Sequence, residues 1–360
     1  MKAVLNDKRL AETLTQLENA IDPDIESKLH AQWLDFTFDK FNGDLFIAQR
    51  EKAHADLNIT PSPHVNDTLE FTSDGLANML VSQYNMCLSS IKSGNGILLS
   101  VRSNYGTGII PSIFGCETFV MPRETNTLPG TIALGAEAIP ALLDKGVPDV
   151  LNGVGRQVII TSELIKEIGL KYPKIGKFVH PFHPDLQGPM DIAELIWGSS
   201  IFYDLYDQPE LIHAFLQMIT QTYIAIMDKW LEIFPVTEDH AFHWGMIHRG
   251  TIMLRDDSAM NLSPDMFKEF IYPYDNQLLN HYGGGAVHFC GKGDHFIEFF
   301  TQMDKLYAVN MSQPEYNDME TIYRNTVDKN IKLISLDKET AIRDRKRLKG
   351  KVNVIDYGVN

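Results

Sequence analysis

The sequence predicts a closed parallel α/β barrel of the (β/α)8, or TIM, class, with a helical extension at its N-terminus. Three observations point there. About eight short apolar runs alternate with helical stretches over ~300 residues, which suits a closed barrel better than an open sheet. A doubly wound sheet should carry a phosphate-binding turn after its first strand. The nearest match, Gly153-Val154-Gly155-Arg156-Gln157-Val158, lacks the third glycine and reads as a loop. Finally, no linker follows residue 65, so residues 66–360 read as one barrel domain and residues 1–65 as the extension packed against it.

In chain order, Leu10, Leu14, Leu17 and Ile21 recur at helical spacing. Thr60-Pro61-Ser62-Pro63-His64 is a loop at the seam between the extension and the barrel. Candidate strands follow at Ile97–Arg102, Ser112–Met121, Lys177–His183, His240–Met246, Thr251–Asp257, Gly285–Gly291, Leu306–Ser312 and Ile331–Asp337, with Val352–Tyr357 as a substitute for one of them. The clearest helix runs from Gln208 to Phe234. Asp207 is placed to cap it, with Pro209 in the first turn and Glu210 three residues on. Ser263-Pro264 signals a second helix start, ahead of Phe267, Phe270 and Tyr274.

Composition narrows the function. Apolar residues at 44% and charged residues at 22% exclude a disordered or fibrous chain. Forty-seven acids against thirty-two bases leave a net charge of −15. That field repels phosphate backbones and anionic lipid, so neither nucleic acid nor a membrane surface is expected as a partner. Three cysteines, Cys87, Cys116 and Cys290, are too few for a disulfide framework and suit a reducing cytoplasm. The N-terminus breaks its apolar run with charge, unlike a signal peptide, and no stretch of eighteen apolar residues occurs. A cytoplasmic protein acting on a small molecule is expected.

Histidine marks the candidate chemistry, since nine of twelve fall between His180 and His295. Imidazole is the common metal ligand and near-neutral proton carrier, so the crowding suggests a polar site. The sharpest segment is Gly285-Ala286-Val287-His288-Phe289-Cys290-Gly291. Strand alternation places His288 and Cys290 on one face, at the C-terminal strand end where barrel enzymes keep their active sites. An imidazole beside a thiolate suits zinc, although two ligands do not complete a site. Arg102-Ser103-Asn104-Tyr105-Gly106 follows the first barrel strand, where Arg102 is placed to meet an anionic substrate with Tyr105 beside it. His183 ends another strand, and His248 sits in a loop after the turn Gly245-Met246-Ile247. Asp256 and Asp257 end a third strand, one facing inward and the other toward the helices.

The run Arg255-Asp256-Asp257-Ser258-Ala259-Met260-Asn261-Leu262-Ser263-Pro264, with Phe267-Lys268-Glu269-Phe270, Pro273-Tyr274 and His288-Phe289-Cys290-Gly291, resembles the uroporphyrinogen decarboxylase superfamily. Within it, the chain is most similar to the zinc- and cobalamin-dependent methyltransferases that methylate coenzyme M and related thiols. Gln187-Gly188-Pro189 and Phe114-Gly115-Cys116-Glu117 resemble further segments, so the likeness spans roughly residues 95 to 340. It implies a TIM barrel, zinc on His288 and Cys290, Asp257 as a site carboxylate, Gln187 near the substrate, and cobalamin carried on a partner corrinoid protein. Two departures bear on function. The second zinc cysteine of these methyltransferases is missing, since no cysteine follows Cys290; Asp337, Glu339, Glu117 or a nearby histidine is left to supply the third ligand. The arginine-rich N-terminal motif of true uroporphyrinogen decarboxylases is absent before Arg102, which argues against that substrate.

Three functions follow. The first is methyl transfer from a corrinoid carrier to a thiol held at zinc, with Asp257 and His183 catalytic and Arg102, Tyr105, Gln187 and His248 lining the substrate. The second is a metal-independent decarboxylase or lyase, in which Asp257 and a barrel histidine handle protons and Arg102 holds a carboxylate. The third is a barrel that only binds a ligand.

Overall fold

A computed structural model describes residues 2–355. Helix α1 (Lys8–Ala20) is capped by Asp7, whose side chain accepts from the Leu10 amide at 2.9 Å. It buries the expected Leu10, Leu14 and Leu17. Helix α2 (Pro23–Thr37) starts on Asp22 with proline in its first turn and buries Leu29, Trp33 and Phe36. Trp33 Nε1 donates to Gly96 O at 2.9 Å. These side chains share one apolar cluster with Leu98, Met246, Met253, Ala286, Ala308 and Ile334, which lie on or beside strands of the main body. Beyond α2, the short strand β1 (Phe46–Ile47) leads to Arg50, whose guanidinium forms a buried two-point ion pair with Glu26 at 2.7 and 3.0 Å.

Helix α3 (Ser73–Ser93) packs on α1 and precedes β2 (Ser100–Val101), which pairs in parallel with β3 (His180–Pro181). Between those strands lies helix α4 (Gly155–Lys171), and after β3 comes α5 (Pro189–Trp197). The long helix α6 (Pro209–Ile233) buries Phe215, Ile219, Tyr223 and Trp230. Strands β4 (His240–His243) and β5 (Met246–Arg249) form an antiparallel hairpin. Its turn residues Trp244 and Gly245 have φ of +48° and +72°, the twist-matched geometry of tight hairpins. A Cβ on Gly245 would lie 2.1 Å from Ile97 Cγ2, so the turn needs glycine.

Strand β6 (Ile252–Arg255) opens the main sheet and is followed by helices α7 (Pro264–Phe270) and α8 (Tyr272–His281). Ser263 caps α7 as its sequence predicts, accepting from the Met266 amide. Strands β7 (Gly285–Phe289), β8 (Leu306–Met311) and β9 (Lys332–Leu333) complete four parallel neighbours in the order β9-β8-β7-β6. Helices intervene between successive members, so the architecture is mixed α/β with parallel strand–helix units. A last strand, β10 (Asn353–Val354), pairs with β1; the end of the Val352–Tyr357 expectation lies outside the described residues.

Three local expectations are corrected. Ser112–Met121 is not a strand: residues 109–113 are helical around Pro111, and only Thr118–Phe119 extends, in a small hairpin with Gly130–Thr131. Of the stretch His240–Met246, only His240–His243 is one hairpin arm; Trp244 and Gly245 make the turn, and Met246 opens the antiparallel partner. Asp207 does not cap α6. It ends the preceding helix, Ile201–Asp207, and Gln208 turns the chain with φ −137°.

Behind β6, Asp256 and Asp275 are both fully buried, and none of their carboxyl oxygens meets another donor. Burial pushes both well above the ordinary carboxyl range; the Asp275 and Asp191 charges add to the rise of Asp256, and the Asp191 charge adds to that of Asp275. The folded protein therefore keeps protons here that the unfolded chain releases above about pH 4. Stability from this pair is present at low pH and is lost as pH rises through the folded value. Asp275→Asn removes the Asp275 share of that dependence, so its stability relative to wild type should climb with pH, by up to about 1.4 kcal/mol per unit. Urea unfolding of both proteins at pH 5, 6.5 and 8 checks this; an advantage that shrinks with pH contradicts it.

Candidate metal centre

The C-terminal ends of β6 and β7 assemble the site. The parallel register sets Arg255 opposite His288, so the residues just beyond each strand, Asp257 and Cys290, meet at the same edge. His288 Nε2 lies 3.3 Å from Cys290 Sγ and 3.5 Å from Asp257 Oδ1. One donor atom from each of the three residues falls within 4.8 Å of the others. Asp257 Oδ1 also accepts from the Cys290 amide at 3.0 Å.

Asp257 is held from behind. Asp191, at the start of α5, accepts from the amides of Asp257 and Ser258 at 2.8 Å each and from the Ser258 hydroxyl. Burial, reinforced by the Asp257 charge, pushes Asp191 up to about 7. On the other side, His288 Nδ1 lies 2.6 Å from Asn310 Oδ1, and Cys290 Sγ lies 3.4 Å from Ser312 Oγ. Trp244 sets its ring edge-on to His288 at 5.3 Å, and Arg255 lies over Trp244 at 5.0 Å.

The electrostatics suit a cation. Burial holds His288 below its ordinary value, so the ring is neutral with one nitrogen lone pair free. Burial pushes the Cys290 thiol up to about 11, with the Asp257 charge adding to the rise against the Ser312 hydrogen bond. Without a positive charge nearby, Cys290 is therefore a thiol at neutral pH. A divalent ion placed among these three donors would favour the thiolate.

The other sequence-derived candidates are dispersed. Gln187 shares a 240 Å³ cavity with Asp257, Asp191, Glu194 and Thr107, although its amide is bound to Asp185 at 2.6 Å. Arg102 is paired with Asp185 at 3.3 Å, and Asp185 also binds Arg255 at 2.8 Å. His183 spends both ring nitrogens: Nδ1 donates to Pro184 O at 2.8 Å, and Nε2 accepts from the Met253 amide at 3.0 Å. Burial, with the Arg255 charge, lowers it to about 3. Tyr105 is buried against Thr161, 2.7 Å from its hydroxyl. His248, buried and lowered to about 4, donates to Arg249 O inside the β4–β5 hairpin. Of the suggested third ligands, Glu117 and Glu339 are exposed, and Asp337 caps the helix Lys338–Arg343.

The histidine crowding thus resolves into separate groups. His183, His243 and His248 lie in the interior near Arg255, while His180 and His240 group with His30 from α2, at 5.4 and 6.1 Å from its ring. Among the described residues, His288 is the histidine of the Asp257/Cys290 cluster. Asp191, Asn310 and Ser312 were missed. Asn310 had a signal, as the lone polar residue in the otherwise apolar strand run Ala308-Val309-Asn310-Met311.

No protein-family model and no curated protein matches the chain. A solved structure does: a methyltransferase from Methanosarcina mazei is similar with a TM-score of 0.62, over 91% of this chain and 91% of that one. Sequence identity is 14%, so the likeness is one of fold. Among the described residues, no helix is long and apolar enough to cross a membrane.

Proposed function

We propose that the chain is a metal-dependent methyltransferase that moves a methyl group from a corrinoid carrier protein to the sulfur of a small thiol. The observation that carries this reading is the Asp257/His288/Cys290 cluster. Ligand bonds of about 2.0–2.3 Å at tetrahedral angles put donor atoms roughly 3.3–3.6 Å apart. The separations of 3.3 and 3.5 Å from His288 Nε2 fit that spacing. The fold shared with a methyltransferase supports the reading, as do the parallel strand–helix units, which we take to close into a (β/α)8 barrel with residues 1–65 folded against it as one cooperative unit.

Asp257, His288 and Cys290 would hold the ion and leave room beside it for the substrate sulfur. Zinc supplies the positive charge that keeps an acceptor sulfur as thiolate, the nucleophilic form. His288 would provide a neutral nitrogen, Cys290 a thiolate, and Asp257 an anionic oxygen in place of the second cysteine. The ligand set keeps its formal charge but becomes harder, so tolerance for other divalent ions and a less nucleophilic bound thiolate are expected. The metal-free lyase reading needs a barrel histidine to move protons. His183 is committed at both nitrogens, which weakens that alternative.

The test is thioether formation from methylcobalamin and a panel of small thiols, followed by mass spectrometry with and without metal. Metal-dependent product is expected. Bound metal with no product from any thiol would remove the reaction and leave the site.

A further inference from the structure

We propose that Asn310 and Ser312, on and just beyond β8, are the positioning residues of this centre: Asn310 fixes the proton of His288 on Nδ1, and Ser312 orients the Cys290 sulfur. The metal-affinity part rests on the reading above; the proton position does not.

Register puts them there. Strands β7 and β8 run parallel with His288 opposite Asn310 and Phe289 opposite Met311. Alternation along each strand gives His288 and Cys290 one face, and Asn310 and Ser312 the matching face beside it. The outer pair therefore repeats the spacing of the inner pair, one strand over.

The proton position follows from donors and acceptors alone. Asn310 is 7% exposed and makes two short hydrogen bonds. Its Nδ2 donates to Ile334 O at 2.6 Å, and its Oδ1 faces His288 Nδ1 at 2.6 Å. An amide's orientation is ordinarily ambiguous, but a backbone carbonyl only accepts, so the NH2 group must face Ile334. Ile334 is itself pinned, because its amide donates to Val309 O at 2.9 Å. The amide oxygen is then left facing the ring, where it only accepts, so His288 Nδ1 must carry the hydrogen. A neutral imidazole has one such hydrogen, and Nε2 keeps its lone pair. That nitrogen faces Cys290 Sγ and Asp257 Oδ1. Three neighbouring strands thus decide which nitrogen is free to bind a metal.

An amide suits this position better than a carboxylate. An aspartate would add a third negative charge beside Asp257 and the Cys290 thiolate, and would set an acceptor against Ile334 O. It would still accept from Nδ1, and that difference makes the proposal testable. Ser312 acts on the second ligand: its Oγ, 3.4 Å from Cys290 Sγ, accepts from the thiol and holds the sulfur on the side facing His288.

The experiment compares wild type, Asn310→Asp and Asn310→Leu, with Asn310→Ala used if the leucine variant does not fold. Both main variants lose the Ile334 contact, and only aspartate keeps an acceptor for Nδ1. Histidine-selective 15N labelling and long-range 1H–15N correlation on metal-free protein read the tautomer, with the His288 signal assigned from His288→Gln. Wild type and Asn310→Asp should show the proton on Nδ1, while Asn310→Leu should shift it toward Nε2. Zinc affinity should fall about 10- to 100-fold in Asn310→Leu and stay close to wild type in Asn310→Asp. A wild-type proton on Nε2, or equal zinc losses in both variants, overturns the proposal. Zinc at background in wild type with the proton still on Nδ1 would remove only the metal reading.

Discussion

Cys290→Ala is expected to abolish thiol methylation and to weaken zinc binding by more than about 100-fold, since changes behind the ligands alone cost about 10- to 100-fold. The reason is geometric. Cys290 closes the triangle with His288 and Asp257, and no other thiol stands near: Cys87, on α3, is buried with its sulfur 3.6 Å from Ser100 O, and Cys116 lies in the core beyond the residue 109–113 helix. Cys116→Ala should therefore hold metal as wild type does. Equilibrium titration with a competing chelator, beside thioether assays, reads both effects. Full metal and full turnover in Cys290→Ala would place the chemistry elsewhere.

The second large effect concerns the N-terminal helices. Arg50→Met should destabilise the whole protein by about 3–5 kcal/mol, because it strands the Glu26 carboxylate in the interior without its partner. Glu26 and Arg50 are 4% and 6% exposed, and the guanidinium also donates to Asn95 O at 2.7 Å. Glu26→Met/Arg50→Met removes both charges and should recover most of the loss. If residues 1–65 form one unit with the rest, fluorescence and circular dichroism should report a single transition at a lower urea midpoint. An early transition confined to the helices would divide the chain into two cooperative units.

Much of this was legible from local signals. Period-two alternation placed His288 and Cys290 on one face, and helical spacing found the buried leucines of α1. Ser263-Pro264 marked a helix start because capping is decided within three residues. What depends on lateral pairing was not legible. Asp257 read as a carboxylate of unspecified reach, because only the β6–β7 register brings it beside a pair thirty-odd residues later. His183 read as a site residue because it ends a strand, but an amide on β6 turns its ring into a structural acceptor. The Asp207 cap failed because a preceding helix claimed that residue first, which the local pattern does not show.

The central claim is that Asp257, His288 and Cys290 hold a metal. Its most direct test is the metal content of wild-type protein purified without chelator, measured by mass spectrometry of the elements and normalised per chain. One divalent ion per chain, most of it zinc, is expected, falling to background in His288→Ala. Background metal in the wild type, unchanged by added zinc, would contradict the claim and return the metal-free lyase to the front.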